Sequence, residues 1–175
     1  MNMKRITTLT VLLIFAFGGF YFQKDAQAAE VKIGYLDVAA VFDSYEKTKE
    51  KDAELNETSQ QKKKQHDKIV ENIKDMKNEL ELLSDSEKQK KQELIDSEVR
   101  KLQDFDKEAK ESLQRERDDM VREILKEIDG VIKEYASKNG FTVVLNNRVL
   151  VYAEEQNDIT KEILNILNSK YRRKK

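Results

Sequence analysis

The chain contains no cysteine and no proline, and only one histidine and five glycines among its 175 residues. Without cysteine there can be no disulfide, no thiolate zinc site, no cysteine nucleophile and no lipoprotein anchor. A single histidine leaves no second candidate for a zinc motif or a serine–histidine–acid arrangement. That residue, His66, sits in the polar run Lys62-Lys63-Lys64-Gln65-His66-Asp67 and reads as solvent-facing. Average usage would supply roughly nine prolines in this length. From Tyr35 to Asp129 there is neither glycine nor proline, so no glycine-rich phosphate loop can lie there. Charge of one sign is not in excess either: 33 Lys and Arg stand against 34 Asp and Glu. Nothing global draws the chain to nucleic acid. No catalytic residue, metal or cofactor is expected, and the chain reads as a non-enzyme.

What is present is unevenly distributed. Lys4 and Arg5 precede the uncharged run Ile6 to Phe22, and Ala26-x-Ala28 follows. This is the pattern of a cleaved export signal, predicted to occupy residues 1–28; the alternative is an uncleaved membrane anchor, since the 17-residue apolar run stands at the lower edge of a spanning helix. Loss of Lys4, Arg5, Lys24 and Asp25 with that leader takes the net charge from −1 to −3. The remainder, 29–175, is expected to form one domain. With 38% charged residues it cannot cover a large globular core, and it suits rods or coiled coils.

Lys, Glu, Gln and Leu dominate the middle, and they favour helix. One uninterrupted rod would reach about 140 Å. Ser84-Asp85-Ser86 offers a reversal, because Ser84 with Glu87 and Ser86 with Gln89 both fit a capping box. The spacing therefore predicts a helical arm over 39–139. Its first helix runs from about Ala39 to Leu83 and its second from about Ser86 to Asn139, folded as an antiparallel hairpin. Gly140 is placed to end the second helix. The apolar stripes have gaps at Asn56 to Lys68 and Gln114 to Asp119, so the periodicity is coiled-coil-like but thin.

The flanks differ. Val31 to Val38 is β-rich, with Val31, Ile33 and Tyr35 on one face. Phe141 to Leu145 and Arg148 to Tyr152, joined by Asn146-Asn147, read as a β-hairpin. Asp158 can cap a short amphipathic helix carrying Ile159, Ile163, Leu164, Ile166 and Leu167. The tail from Tyr171 is expected to fray. A small β body, over 30–38 and 141–170, would thus carry the arm between its strands. About three strands leave open edges, and a cyclic homo-oligomer would close them.

These residues resemble the Skp/OmpH family of periplasmic chaperones over nearly the whole exported chain. The opening Val31-Lys32-Ile33-Gly34-Tyr35-Leu36-Asp37-Val38 with Val41-Phe42 is similar to the family's first strand and helix start. Asn146-Asn147-Arg148-Val149-Leu150-Val151-Tyr152, Asp158-Ile159-Thr160 and Ile163 to Asn168 are similar to its closing segment. The resemblance implies a mainly α fold with a small β body, assembled as a trimer around an oligomeric β-barrel core. It also implies arms that hold unfolded outer-membrane proteins without ATP. The best-known members are strongly basic and this chain is not, so no lipopolysaccharide site is assigned.

Two groups of residues are candidate sites. Near the reversal, Ile69, Ile73, Met76, Leu80, Leu82 and Leu83 lie among lysines. They are either the hairpin's own core or a surface left for clients, and both can hold in different arm positions. Val31, Ile33, Tyr35, Phe141, Val143, Leu145, Val149 and Val151 are expected to form the β core and the oligomer interface. The expected function is a periplasmic holdase for unfolded envelope proteins. The alternative is a structural coiled-coil spacer or adaptor of the envelope.

Overall fold

The computed structural model describes residues 31–175; the export signal predicted for 1–28 lies outside the described residues. Strand β1 (Ile33–Leu36) leads into helix α1 (Val38–Ser44), then α2 (Glu46–Glu81) and α3 (Asp85–Lys138). Strand β2 (Val143–Asn146), two single 3-10 turns and helix α4 (Thr160–Lys174) complete the chain. The architecture is mainly helical, with long helices and a small strand region.

The reversal falls at Leu82 to Ser84. Ser84 has extended backbone (φ −69°, ψ 158°) and its N–H donates to the Glu87 carboxylate at 3.3 Å. That is the first of the two expected caps. At the far end Gly140 takes φ +71°, and Phe141 N–H reaches back to the Ala136 carbonyl at 3.0 Å. Glycine adopts this left-handed geometry without steric cost, which closes the last turn of α3.

The predicted first helix is two helices. Tyr45 is extended (φ −66°, ψ 128°) and separates α1 from α2. The break is imposed from elsewhere in the fold. Tyr45 is buried, its ring meets Tyr171 edge-on at 5.9 Å, and its hydroxyl donates to Glu127 at 3.0 Å. The freed N–H of Glu46 is accepted by Asn168 Oδ1 at 3.0 Å.

The predicted β-hairpin is absent. β2 lies parallel to β1, pairing Ile33 with Val143 and Leu36 with Asn146, and the whole helical arm is the crossover that parallel strands require. Asn146 stays extended (φ −76°, ψ 134°) and its side chain accepts Arg148 N–H at 3.2 Å. Asn147 enters a 3-10 turn, and its amide donates to Asp37 at 2.9 Å. The asparagines thus close a local turn and brace the cap of α1 instead of turning a strand back. The other side of β1 is occupied by a parallel bridge from Tyr35 to Asp158, where Ile159 N–H donates to the Tyr35 carbonyl at 2.9 Å.

The body core comprises Leu36, Val41, Tyr45, Met120, Ile124, Ile128, Val131, Ile159, Ile163 and Leu167. Two helices of the arm region therefore contribute to it. α1 packs wholly on the body, and α3 enters the body at Met120, just past the polar run Gln114 to Asp119. The gap in the apolar stripe marks where arm becomes body.

The tail is helical to Lys174, not frayed. Arg172 and Lys175 engage Glu46 and Glu50 of α2, and Lys170 engages Glu134 of α3.

Candidate client arm and association surface

Along the outer arm, from Asn56 to Asp119, only Ile73 and Ile95 are buried. Each falls on the narrow apolar stripe of its helix. Ile69, Met76, Leu80 and Leu83 are half-buried, and Leu82 at the turn is 88% exposed. Of the six predicted residues, Ile73 is hairpin core, four are shared between core and surface, and one is surface. Two exposed apolar residues escaped sequence reading: Val70 at 41% and Leu94 at 57%. Both flank stripe positions (Ile69 and Ile95), and a stripe two residues wide at those points was the signal available.

The arm is held by charge as well as by apolar contact. Lys91 of α3 engages Glu79 of α2 near the turn. His66 makes a polar approach between the helices, with Nδ1 3.1 Å from Asp67 and Nε2 3.7 Å from Asp106 of α3. At the root, Lys47 bridges Glu123 at 2.6 Å and Glu127 at 2.7 Å. Burial raises the Tyr45 phenol well above its usual range, and the Glu127 hydrogen bond adds to that. The hydrogen bond from Lys47 lowers the Glu123 carboxyl. An open cleft of about 460 Å³ lies beside this cluster, lined by Tyr45, Lys47, Val131, Leu167 and Tyr171.

Most of the predicted β residues face outward, but Phe141 packs against the core. The chain's own core uses Gly34 and Leu36, the opposite face of β1 from Ile33 and Tyr35. Val31, Ile33 and Val143 are 60%, 47% and 39% exposed. Tyr35, Phe141 and Leu145 are half-buried, Phe141 being stacked on Tyr135 at 6.1 Å. Val149 and Val151 lie outside the sheet and are 71% and 106% exposed, with Tyr152 beside them at 83%. Ile33 and Tyr35 share one face of β1, and it is the face turned away from the core. Leu36, Val41 and Tyr45 join the core, but most of the residues that build it come from α3 and from α4 with its N-cap Ile159. Their 3.6-residue spacing was visible, but not which helix they would meet.

Residues 32–167 match the family described as outer membrane protein (OmpH-like). Among solved structures, a candidate outer membrane chaperone (OmpH-like) from Caulobacter crescentus has the same fold. It superposes with a TM-score of 0.75 at 14% identity, over 86% of this chain and 91% of that one. No curated protein matches the chain.

Proposed function

The chain belongs to the OmpH-like family of outer membrane proteins, and from that premise we propose that it is a periplasmic holdase that keeps unfolded envelope proteins soluble without ATP. The carrying observation is the arm. Beyond the body, from Asn56 to Asp119, its two helices bury only Ile73 and Ile95, and they leave Leu82, Leu94 and Val70 to solvent among lysines of both helices. Scattered apolar side chains of this kind suit weak, reversible contact with many segments. Met76 adds a side chain that repacks readily. Contacts so weak need several arms acting on one client, which is how association raises affinity without new contacts.

The outward face of the β body supports such association. The outer edge of β2 has no strand beside it among the described residues, and Val149, Val151 and Tyr152 extend the apolar surface next to it. We assign this face to the subunit interface of a homotrimer whose sheets join as a barrel, with the trimer taken from the family resemblance. Export by the signal at 1–28 would deliver the chain to the periplasm.

The test is an aggregation assay. A urea-unfolded outer-membrane β-barrel protein is diluted into buffer without ATP, with and without this protein, and light scattering is followed. Suppression that saturates near one oligomer per client is the expected result. Undiminished scattering at several-fold excess across a range of salt would overturn the holdase reading and favour a structural spacer.

A further inference from the structure

The two legs of the arm are anchored differently. α3 runs unbroken from the turn into the body core. α2 is severed from α1 at Tyr45, so its own backbone does not fix its direction. Part of the hold comes from Lys47, whose side chain is only 12% exposed and bridges to α3. The rest comes from α4, which runs beside the first turns of α2. Asn168 caps Glu46, Tyr171 meets Tyr45 edge-on, and Arg172 Nε donates to both Glu46 oxygens at 3.0 and 2.9 Å. Lys175 engages Glu50, one turn farther out along α2. The rungs nearest the body are buried or half-buried. The outer two are exposed, with Arg172 at 67% and Lys175 at 59%.

We propose that the last turn of α4, Arg172 to Lys175, is a salt-sensitive strap that holds the root of α2 to the body and limits the swing of the arm. Glu46 and Glu50 lie one turn apart on the same face of α2, and Arg172 and Lys175 match that spacing from α4. The strap engages only the leg that lacks a continuous backbone anchor, so its release changes the arm's angle without unfolding either helix. Exposed ion pairs hold weakly and are screened by salt. The strap therefore opens within the range of ionic strength that leaves the apolar rungs intact. For a client, and resting on the chaperone reading above, a strapped arm encloses a narrower space and a released arm a wider one.

The absence of cysteine makes the test direct. Cysteines placed at Asn56 on α2 and Asn165 on α4, both exposed, carry spin labels without background. Labelled chains are diluted into excess unlabelled chain so that distances are read within one protomer, and no client is added. Raising salt from about 0.01 M to about 1 M shortens the Debye length from roughly 30 Å to roughly 3 Å, and the distance distribution should broaden about twofold. The Glu46→Gln, Glu50→Gln double variant should be broad already at low salt. The control Lys133→Gln, which breaks an exposed pair within α3, should follow the wild type. A wild-type distribution that ignores salt overturns the proposal, whatever the variants do. So does a folded double variant as narrow as wild type at low salt, or a control as broad as the double variant. Since no client is present, failure here is distinct from failure of the holdase reading.

Discussion

Gly34 is set by a ring. A Cβ built on it would lie 2.8 Å from Phe141 Cε1 and 3.0 Å from Cδ1. The ring has little room to retreat, since it stacks on Tyr135 and carries Lys32 Nζ at 4.3 Å. Gly34→Ala should therefore cost about 1–3 kcal/mol through overpacking, read as a lower urea midpoint with an unchanged slope. Thr48 presents the opposite case. It is buried, and its hydroxyl finds no hydrogen-bond partner among the described residues. A buried unpaired hydroxyl is costly, and valine has nearly the same shape. Thr48→Val should stabilise the fold by about 1 kcal/mol, read as a higher urea midpoint. A lower midpoint would show that the hydroxyl has a partner in solution.

At the scale of elements, what was legible in the sequence is what local chemistry decides. Ser84 with Glu87 marks the start of α3, Gly140 its end, and the stripe Ile159 to Leu167 the apolar face of α4. Each signal is read within a few residues of where it acts. The misread features are decided at long range. Nothing near Tyr45 breaks a helix; Tyr171, Glu127 and Asn168 do. Asn146-Asn147 fits a hairpin turn locally, yet Asp37, more than a hundred residues away, takes the Asn147 amide. The tail reads as frayed until α2 offers Glu46 and Glu50. Two predictions belong to this scale. Ser84→Ala should destabilise the start of α3 by about 1 kcal/mol, giving roughly fivefold faster amide hydrogen exchange there. The body, which shares no contact with the turn, should keep its protection. The second concerns acid. Hydrogen bonds from Lys138 and then Lys170 hold the Glu134 carboxyl at about 2. A carboxyl lowered on folding adds stability above its unfolded value, and that contribution is lost as pH falls through the folded one. The melting-temperature gap between wild type and Glu134→Gln should be widest above about pH 4.5 and close toward about pH 2. A gap independent of pH would mean that Glu134 acts by packing.

At the scale of the whole molecule, the chain buries little and exposes apolar surface at two separated places, and the two call for different partners. The arm's exposed residues are scattered, which suits transient contact. Those of the body, Ile33, Val143, Val149, Val151 and Tyr152, gather around one open strand edge, which suits permanent contact with further copies of the chain. The distinction can be tested because Val149 and Val151 contribute almost nothing to the fold of a single chain. Substitutions at such exposed positions ordinarily shift stability by no more than about 0.5 kcal/mol. Val149→Asp with Val151→Asp should therefore leave helical content by circular dichroism unchanged while light scattering on the gel-filtration peak falls to the mass of one chain. On the proposed holdase function, the same variant should lose most of its suppression of client aggregation, since a single arm would act alone on each client. An assembly that survives both aspartates would place the subunit interface elsewhere. A monomer that still suppresses aggregation at equal chain concentration would make the single arm, not the enclosure, the functional unit.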